Sequence, residues 1–504
     1  MTDRGQRKGI QPKWSTTAAV LLLLTGTVFS ARAYGQDAAK EIDDLLTRYH
    51  DYGQFNGSVL VAKGGNVVYK KGFGLADMEW NIPNAPDTKF RLGSITKQFT
   101  SMLIMQRVEQ GQLRLEGHLS DYLPYYLKET GDKITLRHLL SHTSGIPNYT
   151  ELPHFFREVS RNPYEVKEFV QKYCSRDLEF EPGSKFSYSN SGYFILGAIL
   201  EQLTGKSYET LLHERILEPL GMKDTGYDHW DTILPHRAVG YEKSLKGFHR
   251  AAYLDMSIPY SAGSLYSTVE DLHRWDQALY TEKLVSAKSR EIMFTPFLGD
   301  YAFGWVVKKQ LVGPNAGPRV VIGHEGGING FNTLITRIPE DRNLVVFLNN
   351  TGGAPLEEAA RGVINILYGR PAEPPKRSIA EVMLKTLDQK GVDAAITQYR
   401  ELKKTAPSGY NFDERQLNEL GYHLIQQNKT KEALAILQLN AEVFPNSSNV
   451  YDSLGEAYMQ DGQVEEAIRN YAKSLALNPQ NSNAIEKLSK LQEKRKESVV
   501  HPKG

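Results

Sequence analysis

The stretch GSVLVAKGGNVVY, residues 57–69, predicts the first β-hairpin of the fold. Residues 57–62 and 67–69 are rich in valine, which favours strands, and the glycines at 64–65 favour a tight turn between them. Three more strands are predicted much later in the chain, at Val320–His324, Asn332–Arg337 and Leu344–Asn349. The strands at the two ends would meet in one antiparallel sheet.

Long helical patterns lie between these strands, including Ser94–Glu109 and Ser191–Thr204. Strands at both ends that enclose helices indicate an α+β fold. We therefore predict an antiparallel sheet flanked by helices, with an all-helical insertion.

The composition excludes several classes of protein. The chain has 504 residues, of which 40% are hydrophobic and 24% charged, as in soluble globular proteins, so a disordered chain, a fibrous repeat and a multi-span membrane protein are excluded. Sixty Lys+Arg face 59 Asp+Glu, so no nucleic-acid partner is indicated by charge. The single cysteine, Cys174, excludes intrachain disulfides and Cys-rich metal modules, and we expect it to be buried.

The N-terminus has the order of a secretory signal peptide. Basic residues between Arg4 and Lys13 precede an apolar stretch at residues 18–29 and the sequence Ala31-Arg32-Ala33. The apolar stretch is shorter than the about 20 residues that span a bilayer. We predict a signal peptide at residues 1–35 and a periplasmic or secreted mature chain. An uncleaved membrane anchor is the alternative.

A proline-rich linker at residues 371–376 divides the predicted domains, because proline can neither continue a helix nor pair in a central strand. Residues 37–370 are predicted to form the first domain. Residues 377–497 are helical throughout and show a period of 34, in which the Leu-Gly, Ala and Pro positions of one repeat (Leu420-Gly421, Ala433, Pro445) recur in the next (Leu454-Gly455, Ala467, Pro479). A weaker copy includes Ala395, Tyr399 and Pro407.

This pattern resembles the tetratricopeptide repeat and predicts an all-α solenoid. Unrelated helical hairpins are the alternative. Such solenoids offer a concave surface to a protein or peptide, although the array could instead only pack on its neighbour.

The sequence Ser94-Ile95-Thr96-Lys97 is the first candidate for chemistry. Residues three apart share a helix face, so the lysine amine can reach the serine hydroxyl. Burial lowers a lysine pKa, which would let a neutral amine act as a base. By itself, the Ser-x-x-Lys spacing is common by chance, so other motifs in the sequence must decide whether it marks an active site.

Other familiar motifs are absent from the sequence. There is neither a G-x-S-x-G elbow nor a phosphate-binding glycine loop. His138 and His142 have the spacing of a zinc-binding helix, but Leu139 stands where the glutamate of that motif belongs, and we interpret both histidines as structural. We therefore expect neither a metal nor an organic cofactor.

Two later motifs supply the context. Tyr188-Ser189-Asn190 leads into a helix, and His324-Glu325-Gly326-Gly327 ends a predicted strand. Ser-x-x-Lys, Tyr-x-Asn and His/Lys-x-Gly in this order resemble the active site of the class C β-lactamase-related serine hydrolases, which include DD-carboxypeptidases, D-amino-acid peptidases and esterases. The stretches LLSHTSGIP (139–147), PLGMKDT (219–225) and SAGSLYS (261–267) support the resemblance, which covers residues 45–368.

The resemblance implies a β-lactamase/transpeptidase-like fold and a role for each motif. Ser94 would be the nucleophile that becomes acylated, with Lys97 and Tyr188 as the acid/base pair. Which of the two takes the serine proton stays open, and a nearby ammonium would lower the pKa of the tyrosine. Asn190 would donate to the substrate carbonyl and orient Lys97.

The strand motif would bind substrate. The backbone N–H groups of Ser94 and Gly327 would form the oxyanion hole, and Gly326 and Gly327 would let substrate lie along the strand edge. β-Lactamases of the family usually carry Lys-Thr-Gly, whereas this chain has His324-Glu325-Gly326. A histidine would make the charge of the site titratable near pH 6.5.

The charge of Glu325 would affect which class of substrate can bind. Facing the cleft, its carboxylate would repel a penicillin or a peptide C-terminus and favour a neutral or amine-bearing substrate; the alternative is that it points to solvent. The leading hypothesis is an exported serine hydrolase that cleaves an amide or ester of a peptide, D-amino-acid or ester substrate. The rivals are a catalytically idle scaffold that binds a cell-envelope partner through its repeats, and a true β-lactamase.

Overall fold

A computed structural model of the chain describes Met1, Thr2 and residues 37–312 and 317–500, with side chains described as far as Glu493. Apart from Met1 and Thr2, the predicted signal peptide lies outside the described residues. No described helix combines the length and the apolar character needed to cross a bilayer.

A six-stranded antiparallel sheet organises the first part of the fold. Its strands are β1 (Gly57–Lys63), β2 (Asn66–Phe73), β3 (Val306–Leu311), β4 (Pro318–Ile328), β5 (Phe331–Ile338) and β6 (Asn343–Asn349). They lie in the order β3-β4-β5-β6-β1-β2. The N-terminal strand β1 pairs directly with the C-terminal strand β6, with Gly57 opposite Asn349.

The longer helices of this part flank the sheet. They are α1 (residues 37–51), α2 (Thr96–Glu109), α3 (Asn190–Thr204), α4 (Val269–Ala278), α5 (Ala287–Met293) and α6 (Leu356–Leu367). One face of the sheet packs on α1 and α6 in an apolar cluster that includes Val59, Phe347, Ile42 and Val363. The other face packs on the helical insertion that contains α2 and α3.

Short elements complete the first part. The short helices are Gly93–Ile95, Leu119–Tyr122, Lys128–Gly131, Leu136–Leu140, Tyr149–Glu151, Phe155–Val159, Val166–Phe169, Val170–Cys174, Tyr208–Leu212, His213–Leu217, Glu218–Leu220, Tyr260–Gly263 and Pro339–Asp341. The short strands are Leu75–Asp77, Ile82–Pro83, Phe90–Arg91, Gly226–Tyr227 and Leu265–Ser267. Cys174 is buried, as expected.

The described residues divide into two compact units. The first contains the described residues up to His50, Phe55–Val239 and Ala252–Glu373. The second contains Asp51–Gln54, Gly240–Ala251 and the chain from Pro374 onward. The last of the five points at which the chain passes between the units is Glu373–Pro374, inside the segment 371–376.

Antiparallel helices form most of the second unit: α7 (Ile379–Lys390), α8 (Val392–Thr405), α9 (Glu414–Gln426), α10 (Thr430–Val443), α11 (Ser448–Gln460), α12 (Val464–Leu477) and α13 (Ser482–Val500). The residues at the repeat positions keep the helices close together. A methyl group on Gly421 would meet Leu437 at 2.6 Å, and one on Gly455 would meet Tyr471 at 3.1 Å. A parallel pair, Arg377–Ser378 with Tyr410–Asn411, lies in the same unit.

A hairpin, Tyr241–Ser244 and Gly247–Arg250, also belongs to the second unit although it is far from the helices in sequence. Leu245 at its tip packs against the apolar cluster of α7 to α10. Lys243 forms an ion pair of 2.7 Å with Glu381. This unit is therefore built from three separate stretches of the chain.

Candidate active site

Ser94 lies in a single helical turn, Gly93–Ile95, that leads directly into α2. Lys97 is one turn further on, fully buried, and its Nζ is 3.0 Å from Ser94 Oγ. The predicted approach of lysine to serine is therefore present in the structure. Burial lowers the pKa of Lys97 well below its usual value of 10.5.

Two further acceptors surround the lysine amine. Lys97 Nζ donates to Asn190 Oδ1 and to the backbone carbonyl of Ala262, each at 2.9 Å. Asn190 is the first residue of α3, and Ala262 lies in the short helix Tyr260–Gly263. No carboxylate is among the hydrogen-bonding partners of the amine in the described structure, so burial is not offset by an ion pair.

Tyr188 precedes α3 and points at the same hydroxyl group. Its OH donates to Ser94 Oγ at 2.8 Å. Burial raises the pKa of Tyr188 above its usual value of 10. The expected lowering of this pKa is wrong, because the loss of solvent outweighs any attraction to the lysine, which is itself stabilised in its neutral form.

Strand β4 brings its glycines against the serine turn. Gly93 has φ +56°, and a methyl group there would meet the backbone nitrogen of Gly327 at 2.9 Å. A side chain on Gly326 would overlap the carbonyl of Leu92. Only glycines at these positions allow the strand and the serine turn to approach so closely.

His324 is buried beside the tyrosines. Its Nε2 is 2.9 Å from the hydroxyl of Tyr301, and its Nδ1 is 2.5 Å from the carbonyl of Glu325. A carbonyl only accepts, so the proton lies on Nδ1 and Nε2 accepts from Tyr301. Burial, with a smaller contribution from Lys97, lowers the pKa of His324 to about 4.

The prediction that the charge of this site would titrate near pH 6.5 is therefore wrong. Enclosure by aromatic rings, with no carboxylate partner among the described residues, favours the neutral imidazole. His324 consequently brings no positive charge to a bound substrate at neutral pH.

Among the described residues, no strand pairs with the β3-facing edge of β4 from His324 onward. Strand β3 pairs with Pro318–Gly323 and begins at Val306, opposite Gly323. A cavity of about 510 Å³ opens at this edge. Tyr188, Tyr301 and His324 line one side of it, and Glu325 with α6 residues such as Glu357 lines the other, whereas Ser94 and Lys97 do not line it. The side chain of Glu325 reaches solvent, and partial desolvation together with Glu357 and Glu358 raises its pKa above the usual 4.5.

Some residues of the site were not predicted. Asn148 Oδ1 accepts from the backbone N–H of Asn190 at 3.1 Å and from its side-chain amide at 3.3 Å, which fixes the orientation of that amide. Its position directly after LLSHTSGIP was the available signal. No sequence signal could have identified Ala262, which acts through its backbone carbonyl, or Tyr301, which follows no motif.

The histidine pair His138 and His142 is not arranged as a metal site. Each Nδ1 accepts a backbone N–H, from Thr135 at 3.2 Å and from Ser189 at 3.1 Å respectively. Among the described residues, no three histidines, cysteines or carboxylates cluster as metal ligands.

A comparison with known families decides the identity of this arrangement. The model of the Beta-lactamase family matches residues 42–368, which is more than half of the chain. The chain belongs to the Beta-lactamase family. A tetratricopeptide repeat matches residues 448–481. Both resemblances seen in the sequence, to the β-lactamase-related family and to the tetratricopeptide repeat, are confirmed. Repeats of this kind are protein-interaction modules.

Relatives of this Beta-lactamase family protein include penicillin-binding proteins and an amidohydrolase. Penicillin-binding protein 4* of Bacillus subtilis (strain 168) is 29% identical over 463 residues, which cover 86% of this chain and 99% of the relative. The octameric penicillin-binding protein homologue from Pyrococcus abyssi is 29% identical, with TM-score 0.57 over 70% of this chain and 82% of its own. A D-stereospecific amidohydrolase from Streptomyces sp. is 25% identical, with TM-score 0.53 over 67% and 98%.

The family consists of serine hydrolases, and these likenesses confirm the predicted α+β fold followed by a helical repeat region. The Beta-lactamase family protein thus has the predicted architecture.

Proposed function

We propose that the chain is a serine hydrolase that cleaves an amide or ester bond through a covalent acyl-serine intermediate. One observation carries the proposal: Ser94 Oγ lies within hydrogen-bonding distance of both Lys97 Nζ, at 3.0 Å, and the Tyr188 hydroxyl, at 2.8 Å. A hydroxyl held between a base and an acid is the arrangement that nucleophilic catalysis requires.

Lys97 is the better candidate for the base. A neutral amine has two N–H groups and one lone pair. Besides the Ser94 hydroxyl, which can either accept or donate, this lysine faces two groups that only accept, Asn190 Oδ1 and the Ala262 carbonyl. The lone pair is then free to accept the hydroxyl proton of Ser94. The lowered pKa supports the neutral form in the resting enzyme. The proton taken from the serine would make Lys97 an ammonium while Ser94 Oγ bonds to the substrate carbonyl carbon.

Tyr188 is the candidate for the acid. A phenol with a raised pKa keeps its proton and donates it to the leaving nitrogen or oxygen as the bond to the acyl group breaks. The proton on Lys97 then neutralises the phenolate. Water would release the acyl group by the same steps in reverse, with Ser94 as the leaving group.

The oxyanion would lie between the backbone N–H groups of Ser94 and Gly327. The close approach of Gly93 to Gly327 supports this placement, since it brings the serine turn beside the strand edge. Removing one donor from such a hole costs about 10²–10³-fold in rate. Asn190 would contact the substrate with its amide while its oxygen holds Lys97.

We further propose a neutral or amine-bearing substrate, such as a D-amino-acid amide or an ester. A neutral His324 offers no cation to a substrate carboxylate. Glu325, on the opposite face of β4, adds an acidic side chain beside Glu357 and Glu358 of α6, next to the same strand edge. The D-stereospecific amidohydrolase among the similar structures is consistent with this class of substrate. A β-lactamase would need a positive charge at the position of His324 to attract the carboxylate of its substrate.

The experiment compares hydrolysis of D-alanine amide with that of a D-Ala-D-Ala peptide. We expect faster hydrolysis of the amide than of the peptide. Glu325→Gln should reduce the difference between the two rates, because the peptide, which carries a carboxylate, should then be hydrolysed faster. Clear preference of the wild type for the peptide would refute the substrate class. A protein that hydrolyses neither and does not react with a fluorophosphonate would support the scaffold alternative.

Export to the periplasm or the medium, and a protein or peptide partner for the repeats, remain part of the proposal. The penicillin-binding relatives and the repeat match support them. Detection of the mature chain outside the cytoplasm would test the first. Affinity capture on the isolated full chain, competed by a defined peptide, would test the second.

A further inference from the structure

His142 contacts three consecutive residues around the proposed acid. Its carbonyl accepts the backbone N–H of Ser187 at 2.8 Å. Its ring stacks on Tyr188, with centroids 4.2 Å apart and planes tilted by 36°. Its Nδ1 accepts the backbone N–H of Ser189 at 3.1 Å. One residue thus holds Tyr188 by both neighbouring peptide groups and by its ring.

The backbone of His142 is in an unusual conformation. Its φ is +57°, in the left-handed region that residues other than glycine rarely adopt, and its side chain is buried with 1% exposure. Such strain costs of order 1–3 kcal/mol and persists where the surrounding structure requires it. Here the left-handed turn directs both the carbonyl and the ring toward residues 187–189.

The ring of His142 also has a fixed protonation state. Because Nδ1 accepts a backbone N–H, the proton lies on Nε2, which has no hydrogen-bond partner in the described structure. Burial, with Lys97 and His324 nearby, lowers the pKa of His142 well below its usual value. A neutral ring can stack on Tyr188 and accept from Ser189 at the same time.

We propose that His142 is a positioning residue that holds the Tyr188 hydroxyl at the leaving group. This inference rests on the proposed function, in which Tyr188 is the acid. Tyr188 OH is 2.8 Å from Ser94 Oγ, and a displacement of about 1 Å can cost about 10²-fold in rate. His142 itself does not touch the reacting atoms.

The test uses His142→Asn. Asparagine tolerates a left-handed backbone and offers an amide oxygen close to the position of Nδ1, but it has no ring. His154→Asn is the matched control, because His154 also has a positive φ, +61°, but is exposed and outside the site. Thermal unfolding of both variants establishes that they are folded.

The readout is the difference between two leaving groups. The nitrogen of an amide must be protonated to leave, whereas nitrophenolate leaves without a proton. A displaced acid should therefore slow hydrolysis of the amide more than hydrolysis of the nitrophenyl ester. We expect His142→Asn to lower kcat for D-alanine amide by about 10–100-fold, with KM little changed. Its kcat for p-nitrophenyl acetate should fall by only a few-fold. His154→Asn should match the wild type on both substrates.

Equal losses on both substrates, or no loss, in a folded His142→Asn protein would overturn the inference. If that variant does not fold, His142→Phe, which keeps a ring but not the acceptor, is measured in the same way with the same criterion. Failure of the proposed function is seen separately, as absence of fluorophosphonate labelling of Ser94 in the wild type.

Discussion

The protonation state of Lys97 determines what Ser94 can do. Replacing it in the Lys97→Met variant removes the lone pair but keeps the length of the side chain. We expect acylation of Ser94 by a fluorophosphonate to slow by about 10²–10⁴-fold, the usual contribution of a general base. The measurement is the labelling rate of the folded variant. A rate within a few-fold of the wild type would assign the base to another group.

The pH dependence of acylation follows from the three buried groups. Lys97 must be neutral, so the rate should fall as the pH drops through its lowered pKa. Tyr188, with a pKa raised above 10, should cause no loss near pH 10. His324, with a pKa of about 4, should contribute no inflection near pH 6.5.

Labelling rates between pH 4 and 10 test this, with His324→Gln as the control that isolates the histidine. An inflection near pH 6.5 that disappears in His324→Gln would show that the imidazole titrates near its ordinary pKa. An inflection that persists in the control belongs to Lys97.

At this scale the sequence motifs predicted which residues meet, and burial predicted the lowered pKa of Lys97, but the ionisation of Tyr188 and His324 was not predicted. Ser94, Lys97, Tyr188 and Asn190 lie together as the motif order predicted. The pKa of Tyr188 was predicted to be lowered and that of His324 to stay near 6.5. Both predictions were wrong, because these pKa values depend on enclosure by side chains from distant parts of the chain, such as Tyr301, which carries no local signal.

At the scale of elements, the serine turn and strand β4 must lie in close contact. Gly93→Ala introduces a methyl group 2.9 Å from the nitrogen of Gly327. Gly111→Ala is the matched control, because Gly111 also has a positive φ, +69°, but has open space around it. Both should lose about 1–2 kcal/mol of unfolding free energy from backbone strain.

Gly93→Ala alone should also slow acylation, by up to about 10²-fold, because the strand and its oxyanion donor must move away. Urea unfolding and fluorophosphonate labelling measure the two effects. Equal acylation rates in the two variants would show that the contact between turn and strand is not needed for catalysis.

Element by element, apolar strands were easier to predict than polar ones. Strand β6 is buried along its whole length and was predicted from its continuous apolar sequence. Strand β3, VVKKQL, is an edge strand with mostly exposed residues and was not predicted. Its sequence resembles a polar loop, and only pairing with β4 makes it a strand.

At the scale of the molecule, the second unit depends on a hairpin from the middle of the chain. Leu245 packs against the cluster of helices α7 to α10. Leu245→Asp should destabilise this unit by about 1–3 kcal/mol, because it places a charge at an apolar contact. His249→Asp, an exposed change on the same hairpin, is the control.

Hydrogen exchange of the amides in α7 to α10 measures the effect. We expect faster exchange in Leu245→Asp and no change in His249→Asp. Identical exchange in both variants would mean that the helices do not need the hairpin. The 34-residue period predicted the helical repeats, but nothing in that period could indicate that residues 240–251 belong with them.

The most direct test of the whole account is covalent labelling of the intact protein. The full chain is treated with a fluorophosphonate and analysed by intact mass and peptide mapping, next to folded Ser94→Ala. We expect one adduct per chain, on the peptide that contains Ser94, and none in the variant. An unlabelled wild type, or an adduct that survives in Ser94→Ala, would contradict the assignment of this hydroxyl as the nucleophile.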